Sequence, residues 1–208
     1  MSLAFDAQLL AAMSAPLGAL VAVRRAYAFT LAGDGAPDSP DARLILVLGT
    51  CIAFGALAAE TPVEALARVA LLCGLAHLAM IDWRLMVIPV RLCLMLIAGG
   101  LAFGYFQQGG VHALVCAAAA GAGWTTCRTL ERLHVAVRGR SGLGEGDALI
   151  AAVLGAWLSV DGLALSVAIG GVLTILAMRL LRRSAGPFPF APGLALGALI
   201  VLLVKQWT

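Results

Sequence analysis

The sequence predicts an all-α integral membrane protein, a polytopic helical bundle of about eight transmembrane helices forming a single domain over residues 1–208. Three observations lead there. Of the side chains, 62% are hydrophobic and only 12% charged, where a soluble domain carries about 25% charged residues. Mean hydropathy is +1.01. Apolar runs approaching the roughly 20 residues that cross a bilayer recur along the chain, and arginines crowd into every second connection between them.

Spans are expected at roughly 8–23, 44–59, 63–82, 92–107, 111–127, 147–160, 162–181 and 188–204. The start of the chain lacks the charged segment and cleavage site of a removable signal peptide, so residues 1–23 are expected as a retained first span. Arg24, Arg25 and Arg43 bracket the connection that follows, and Arg84 and Arg91 lie in the next on that side. Arg128, Arg132, Arg138 and Arg140 fill a third, and Arg179, Arg182 and Arg183 a fourth. The intervening connections hold Glu60, Glu64, Gln107, Gln108 and Asp161, with Arg68 and Lys205 as basic exceptions. Cytoplasmic loops concentrate basic residues, so this pattern puts four loops in the cytoplasm and both termini outside.

The loop 24–43, rich in Gly, Pro and Asp, encodes turns and no core. The net charge of +3 is split among short groups beside the membrane, which is not the basic face that nucleic acid requires. Cys51, Cys73, Cys93, Cys116 and Cys127 all fall in apolar runs without a Cys-x-x-Cys pair. They read as small buried hydrophobes, with no metal site and no disulfide framework.

The third span ends in His77-Leu78-Ala79-Met80-Ile81-Asp82-Trp83-Arg84, and Pro89 then delays re-entry into helix. One reading of Asp82 is a solvated helix-end aspartate paired with Arg84, worth about 0–1 kcal/mol. A helix C-terminus opposes a carboxylate, however, which points to a reason beyond local stability. His77 reads as a packing histidine, and His112 and His134 have no evident partner.

The polar stretch Ser141-Gly142-Leu143-Gly144-Glu145-Gly146-Asp147 opens directly into an apolar segment. Asp147 is either a cap for the helix that follows or a functional carboxylate, the usual meaning of an ionisable group at membrane depth. From Ala148 to Val160 the span measures only about 20 Å of helix against about 30 Å of hydrocarbon. A loop 144–147 dipping below the cytoplasmic surface resolves the shortfall and sets Asp147 in a protein-lined pocket. The last span is entered through Pro187-Phe188-Pro189-Phe190-Ala191-Pro192, a stiff run that fixes an entry angle.

Three stretches together resemble one family, the type IV prepilin peptidases, membrane aspartic proteases of the Gly-x-Gly-Asp type. These are Ile81-Asp82 followed by Ile88-Pro89, then Gly144-x-Gly146-Asp147 running into Leu154-Gly155-Ala156-Trp157, then the 187–192 proline run leading into Leu194-Ala195-Leu196-Gly197-Ala198. The resemblance covers roughly residues 44–204. It implies that Asp82 and Asp147 are the catalytic pair, with Gly144, Gly146 and Pro89 positioning them. It also implies prepilin or pseudopilin precursors as partners, cut where a short basic leader meets a membrane helix. The location it implies is the bacterial inner membrane, with the site on the cytoplasmic side. Long members carry a zinc domain with two Cys-x-x-Cys pairs after the first span and methylate the new N-terminus with S-adenosylmethionine. Here that position is the cysteine-free 24–43 loop. No cofactor is expected for peptidase activity, and S-adenosylmethionine only if methylation is retained. Val90 stands where many members have Asp, and Leu149 where many have Lys.

Two carboxyls sharing a proton can serve as base and acid in peptide hydrolysis, titrating as a unit. Two other readings stay open: a proton-coupled membrane transporter, since intramembrane carboxylates mark those too, and a non-catalytic pilus or secretion assembly factor, motivated by Val90 and Leu149.

Overall fold

The computed structural model describes residues 42–139, 144–181 and 188–204, with Gly18, Leu20 and Val21. Among them it holds helices and no strand: α1 (Ala42–Leu57), α2 (Pro62–Leu85), α3 (Val90–Gln108), α4 (Gly110–Arg138), α5 (Glu145–Leu180) and α6 (Ala191–Val204). The first span expected at 8–23 and the loop at 24–43 lie almost wholly outside the described residues, as do Ser141–Leu143, 182–187 and Lys205. Gly18 rests against Cys73 and Val69 of α2.

Local signals explain where most helices begin and end. Thr61 caps α2, its Oγ1 accepting the Glu64 N–H at 3.2 Å, and Pro62 fits the first turn where no N–H is needed. Met86, at φ 53°, stops α2, and its N–H donates to the Asp82 carbonyl. Gly109 (φ 85°) turns α3 into α4, and Gly139 (φ 68°) ends α4, conformations that cost glycine little. α4 runs eleven residues beyond the expected span end at 127, because 128–138 contains charge but no helix breaker.

α2, α3 and α5 are long and apolar enough to cross a membrane, while α1 and α6 are shorter apolar helices. Among the described residues, length and composition thus single out three helices able to cross a membrane, which leaves the expected count of about eight unconfirmed. α5 is two helices in one. Ser159 (φ 61°, ψ −170°) interrupts it between 145–158 and 160–180, two residues before the boundary at Asp161 that the sequence predicts. A Cβ at Gly123 of α4 would meet Ala151 O at 2.9 Å and Leu163 Cδ2 at 3.0 Å. Twelve residues apart, these two would lie about 18 Å apart on a straight helix, so the chain turns back at Ser159.

Small residues set the seams. Gly155 abuts the Ala119 backbone and Gly123 the Ala151 backbone, an antiparallel register between α4 and 145–158. Gly170 meets Gly193, and Gly197 meets the Ser166 carbonyl, the same arrangement between 160–180 and α6. Such approach is how helices associate in lipid, where apolar side chains gain nothing from leaving the solvent. The core gathers Leu71, Leu75 and Leu78 of α2, Ile150, Val153 and Leu154 of α5, and Leu194 and Leu202 of α6. Phe106, Met95, Leu114 and Val172 are exposed on the outside of the bundle, as a lipid-facing surface demands. Cys93 and Cys116 are buried and the other three cysteines half-buried, all as free thiols.

Two buried polar side chains bind the bundle together. The Trp157 Nε1–H donates to the Leu96 carbonyl of α3 at 2.7 Å, with the ring stacked on Phe103. Arg68, fully buried, pairs with Glu64 and donates to the Leu202 carbonyl at 2.8 Å and the Gly55 carbonyl at 3.3 Å. Its presence on the arginine-poor side is thereby explained: it closes the C-terminal ends of α1 and α6. Trp157→Phe is expected to destabilise the purified protein by about 0.5–1.5 kcal/mol through the lost hydrogen bond to Leu96, and Trp157→Ala by about 3–5 kcal/mol. Arg68→Met, which strands Glu64, is expected to cost about 3–5 kcal/mol, partly recovered by adding Glu64→Leu. Unfolding in detergent measures all four.

Candidate active site

Asp82 occupies the last turn of α2 and is only 6% exposed. The solvated reading is therefore excluded. Its Oδ2 accepts the Ala191 N–H at 3.0 Å, and the Phe190 N–H also hydrogen-bonds to the carboxyl. Asp82 thus ends one helix with its backbone and begins another with its side chain. Trp83 and Phe188 meet edge to face, centroids 6.0 Å apart, beside this junction. The proline run does more than set an angle: it presents two amides to the aspartate.

Asp147 sits half-buried in the first turn of α5. The expected loop over 144–147 is helical from Glu145 onward, because Gly144 adopts an extended conformation (φ −77°, ψ 153°) and serves as the N-cap. The Gly144 N–H donates to Asp147 Oδ2 at 3.0 Å, so Asp147 does cap its own helix. That role does not isolate it. Asp82 and Glu131 both lie within electrostatic range of Asp147. Capping and proximity to a second carboxyl coexist at one residue.

The residues expected to position the aspartates meet where the 86–89 turn reaches α5. A Cβ on Gly146 would fall 2.6–2.7 Å from Cβ, Cγ1 and Cδ1 of Ile88, so the 86–89 turn is seated against the first turn of α5. Pro89 is the N-cap of α3 (φ −67°, ψ 108°) and holds that turn extended. Gly144, Gly146, Pro89 and both aspartates therefore occupy one end of the bundle. Arg128 of α4, which the sequence reading treated only as a topology marker, adds a charged brace, contacting Glu131 at 2.7 Å and Glu145 at 3.0 Å. Arginine three residues before glutamate on a helix was the available signal.

His77 is half-buried in α2, and His112 Nε2 lies 3.3 Å from Cys116 Sγ near the opposite end of the bundle. Leu149 packs against the hydrophobic core. An apolar groove of about 510 Å³ opens between α1, α2 and α6, lined by Ile52, Leu72, Ala79, Trp83, Pro192 and Leu199 among others. It borders the Asp82–Ala191 contact, since Trp83 and Pro192 are the next residues in each helix.

Comparison with known proteins places the chain among relatives. The model of the type IV leader peptidase family matches residues 69–179, a range that takes in both aspartates. A prepilin leader peptidase/N-methyltransferase of Escherichia coli is 32% identical over 179 residues, covering 79% of this chain and 74% of its own. Proteins of the same name from Pseudomonas aeruginosa (33% identical, 62% of this chain) and Aeromonas salmonicida (36% identical, 64% of this chain) match as well. The matches span only 46% and 48% of those two relatives. No solved structure matches. With a family match over more than half its length, a relative aligned along most of both chains, and the motif residues at one end of the bundle, the chain belongs to the type IV leader peptidase family.

Proposed function

We propose that this protein is a membrane aspartic endopeptidase that removes the leader from prepilin-like precursors. Asp82 and Asp147 are its catalytic pair. The observation that carries the reading is the convergence of two carboxyls from different helices, within electrostatic range, at one end of an apolar bundle. In the proposed topology of eight spans in the bacterial inner membrane, that end faces the cytoplasm, where the arginines gather. The groove beside Asp82 gives the apolar part of such a precursor a place to lie.

In the reaction, one ionised aspartate takes a proton from water as the water oxygen bonds to the scissile carbonyl carbon. The protonated partner hydrogen-bonds the carbonyl oxygen. The carbon–nitrogen bond then breaks, and the leaving amine departs with a proton from the pair. One water is consumed and the pair returns to its single shared proton. The residues of this chain suffice for these steps. The proposal concerns hydrolysis; the mass of the mature product in the same assay reads any methyl added from S-adenosylmethionine.

Purified protein is expected to cut a panel of prepilin and pseudopilin precursors at the leader junction. Asp82→Asn and Asp147→Asn, folded as judged by thermal unfolding, should each lower the rate by about 10²–10⁴-fold. Cleavage surviving either substitution at the wild-type rate would remove that residue from the mechanism. Gly146→Ala is expected to slow cleavage by roughly 10–100-fold while the protein stays folded, because displacing Ile88 shifts one aspartate against the other. Kinetics unchanged from wild type would show that the 86–89 turn does not set the spacing.

A further inference from the structure

The function proposed above treats the two aspartates alike, but their surroundings differ. Asp147 is held within its own helix, by the amide three residues before it. Asp82 is held by another helix altogether, 109 residues along the chain, through Ala191 N–H and Phe190 N–H. Ala191 is the first residue of α6, and its side chain is buried. The N-cap position is filled by Phe190, whose carbonyl accepts the Leu194 N–H but whose side chain offers no acceptor to the open amides. Asp82 supplies that acceptor. The Ala191 bond is accepted by Oδ2 of Asp82.

Resting on the two-aspartate reading, we infer that the N-terminus of α6 is a positioning element of the active site. The backbone amides of Phe190 and Ala191 fix the Asp82 carboxyl and set the orientation in which it meets the substrate. Three packing features make the device rigid. Pro189 is buried, Phe188 stands edge-on against Trp83, and α6 is sealed to 160–180 along the Gly193 and Gly197 seam. A change that loosens α6 therefore acts on the chemistry without touching either aspartate. Ala191 contributes through its amide and touches no substrate; it positions and does not catalyse.

Proline at 191 tests this directly. The first position of a helix tolerates proline well and leaves the rest of the helix intact, so Ala191→Pro deletes the donor to Asp82 and little else. With a purified precursor, Ala191→Pro is expected to lower kcat by roughly 10–100-fold, the scale of a small misplacement of a reacting group, with KM near the wild-type value. Ala191→Gly, which keeps the amide, should restore wild-type kcat. Where the proline variant does not fold, lactic acid introduced at position 191 by nonsense suppression replaces the same N–H by oxygen without adding bulk, and the same loss of kcat is expected. A wild-type kcat for the proline or lactic acid variant overturns the inference, as does a loss confined to KM. Asp82→Asn, run alongside, separates the two claims. If it is inactive while the position-191 variants are not, only the positioning role falls; if it cleaves normally, the two-aspartate reading falls with it.

Discussion

In hydrocarbon a polar group that finds no protein partner finds none at all. This constraint shapes the bundle. Arg68 reaches two helix C-termini, Trp157 reaches the Leu96 carbonyl, and Thr174 returns its hydroxyl to the Gly170 carbonyl one turn back. Each contact either joins two helices or removes a cost within one. The same rule governs Asp82. A carboxylate at the end of α2 would be opposed by the negative end of its own helix dipole. At the N-terminus of α6 it meets the opposite sign and two donors. The position is unfavourable on one helix and favourable on the other, which ties α2 to α6 at the site.

The far ends of those helices are tied as well. Arg68 of α2, paired with Glu64, holds carbonyls in the last turns of α1 and α6, about 21 Å along α2 from Asp82 by helical rise. α6 is thus fixed at both ends to α2 and along its length to 160–180. The hairpin at Ser159 brings those residues back beside 145–158, the helix that carries Asp147. The two aspartates therefore belong to one rigid network although 65 positions separate Asp82 from Asp147 in the chain.

Much of this was legible beforehand because membrane helices advertise themselves by composition. The helix class, the break near Ser159 and the gathering of arginines in alternate connections all follow from hydropathy and charge. Helix limits were less legible. Residues 128–138 continue α4 because charge ends a membrane span but does not end a helix. Asp147 lies inside the first turn because an extended Gly144 starts α5 at Glu145, two residues before the expected span at 147. At the site, the motif glycines and aspartates stood out by their contrast with apolar neighbours. The amides of Phe190 and Ala191 did not, since a backbone donor has no residue signature. Arg68 was visible only as an exception, and Glu64, four residues before it, was the clue to its burial.

The departures from the family pattern acquire a physical sense from the same contacts. A lysine two residues after Asp147 would be a cation on the first turn of α5; Leu149 there joins the core. The remaining charge near Asp147 is arranged differently, with Arg128 committed to Glu131 and Glu145 on either side of the α4–α5 junction. The contacts that hold the two aspartates come from backbone amides: Gly144 for Asp147, Phe190 and Ala191 for Asp82. Amides bring donors without a counter-charge. A cation in direct contact would oppose the return of a proton to the pair, whereas amide donors accommodate a carboxyl that gains and loses one in each turnover. Leucine in place of a lysine at 149 therefore leaves the contacts that orient the two aspartates standing, because those contacts come from the main chain.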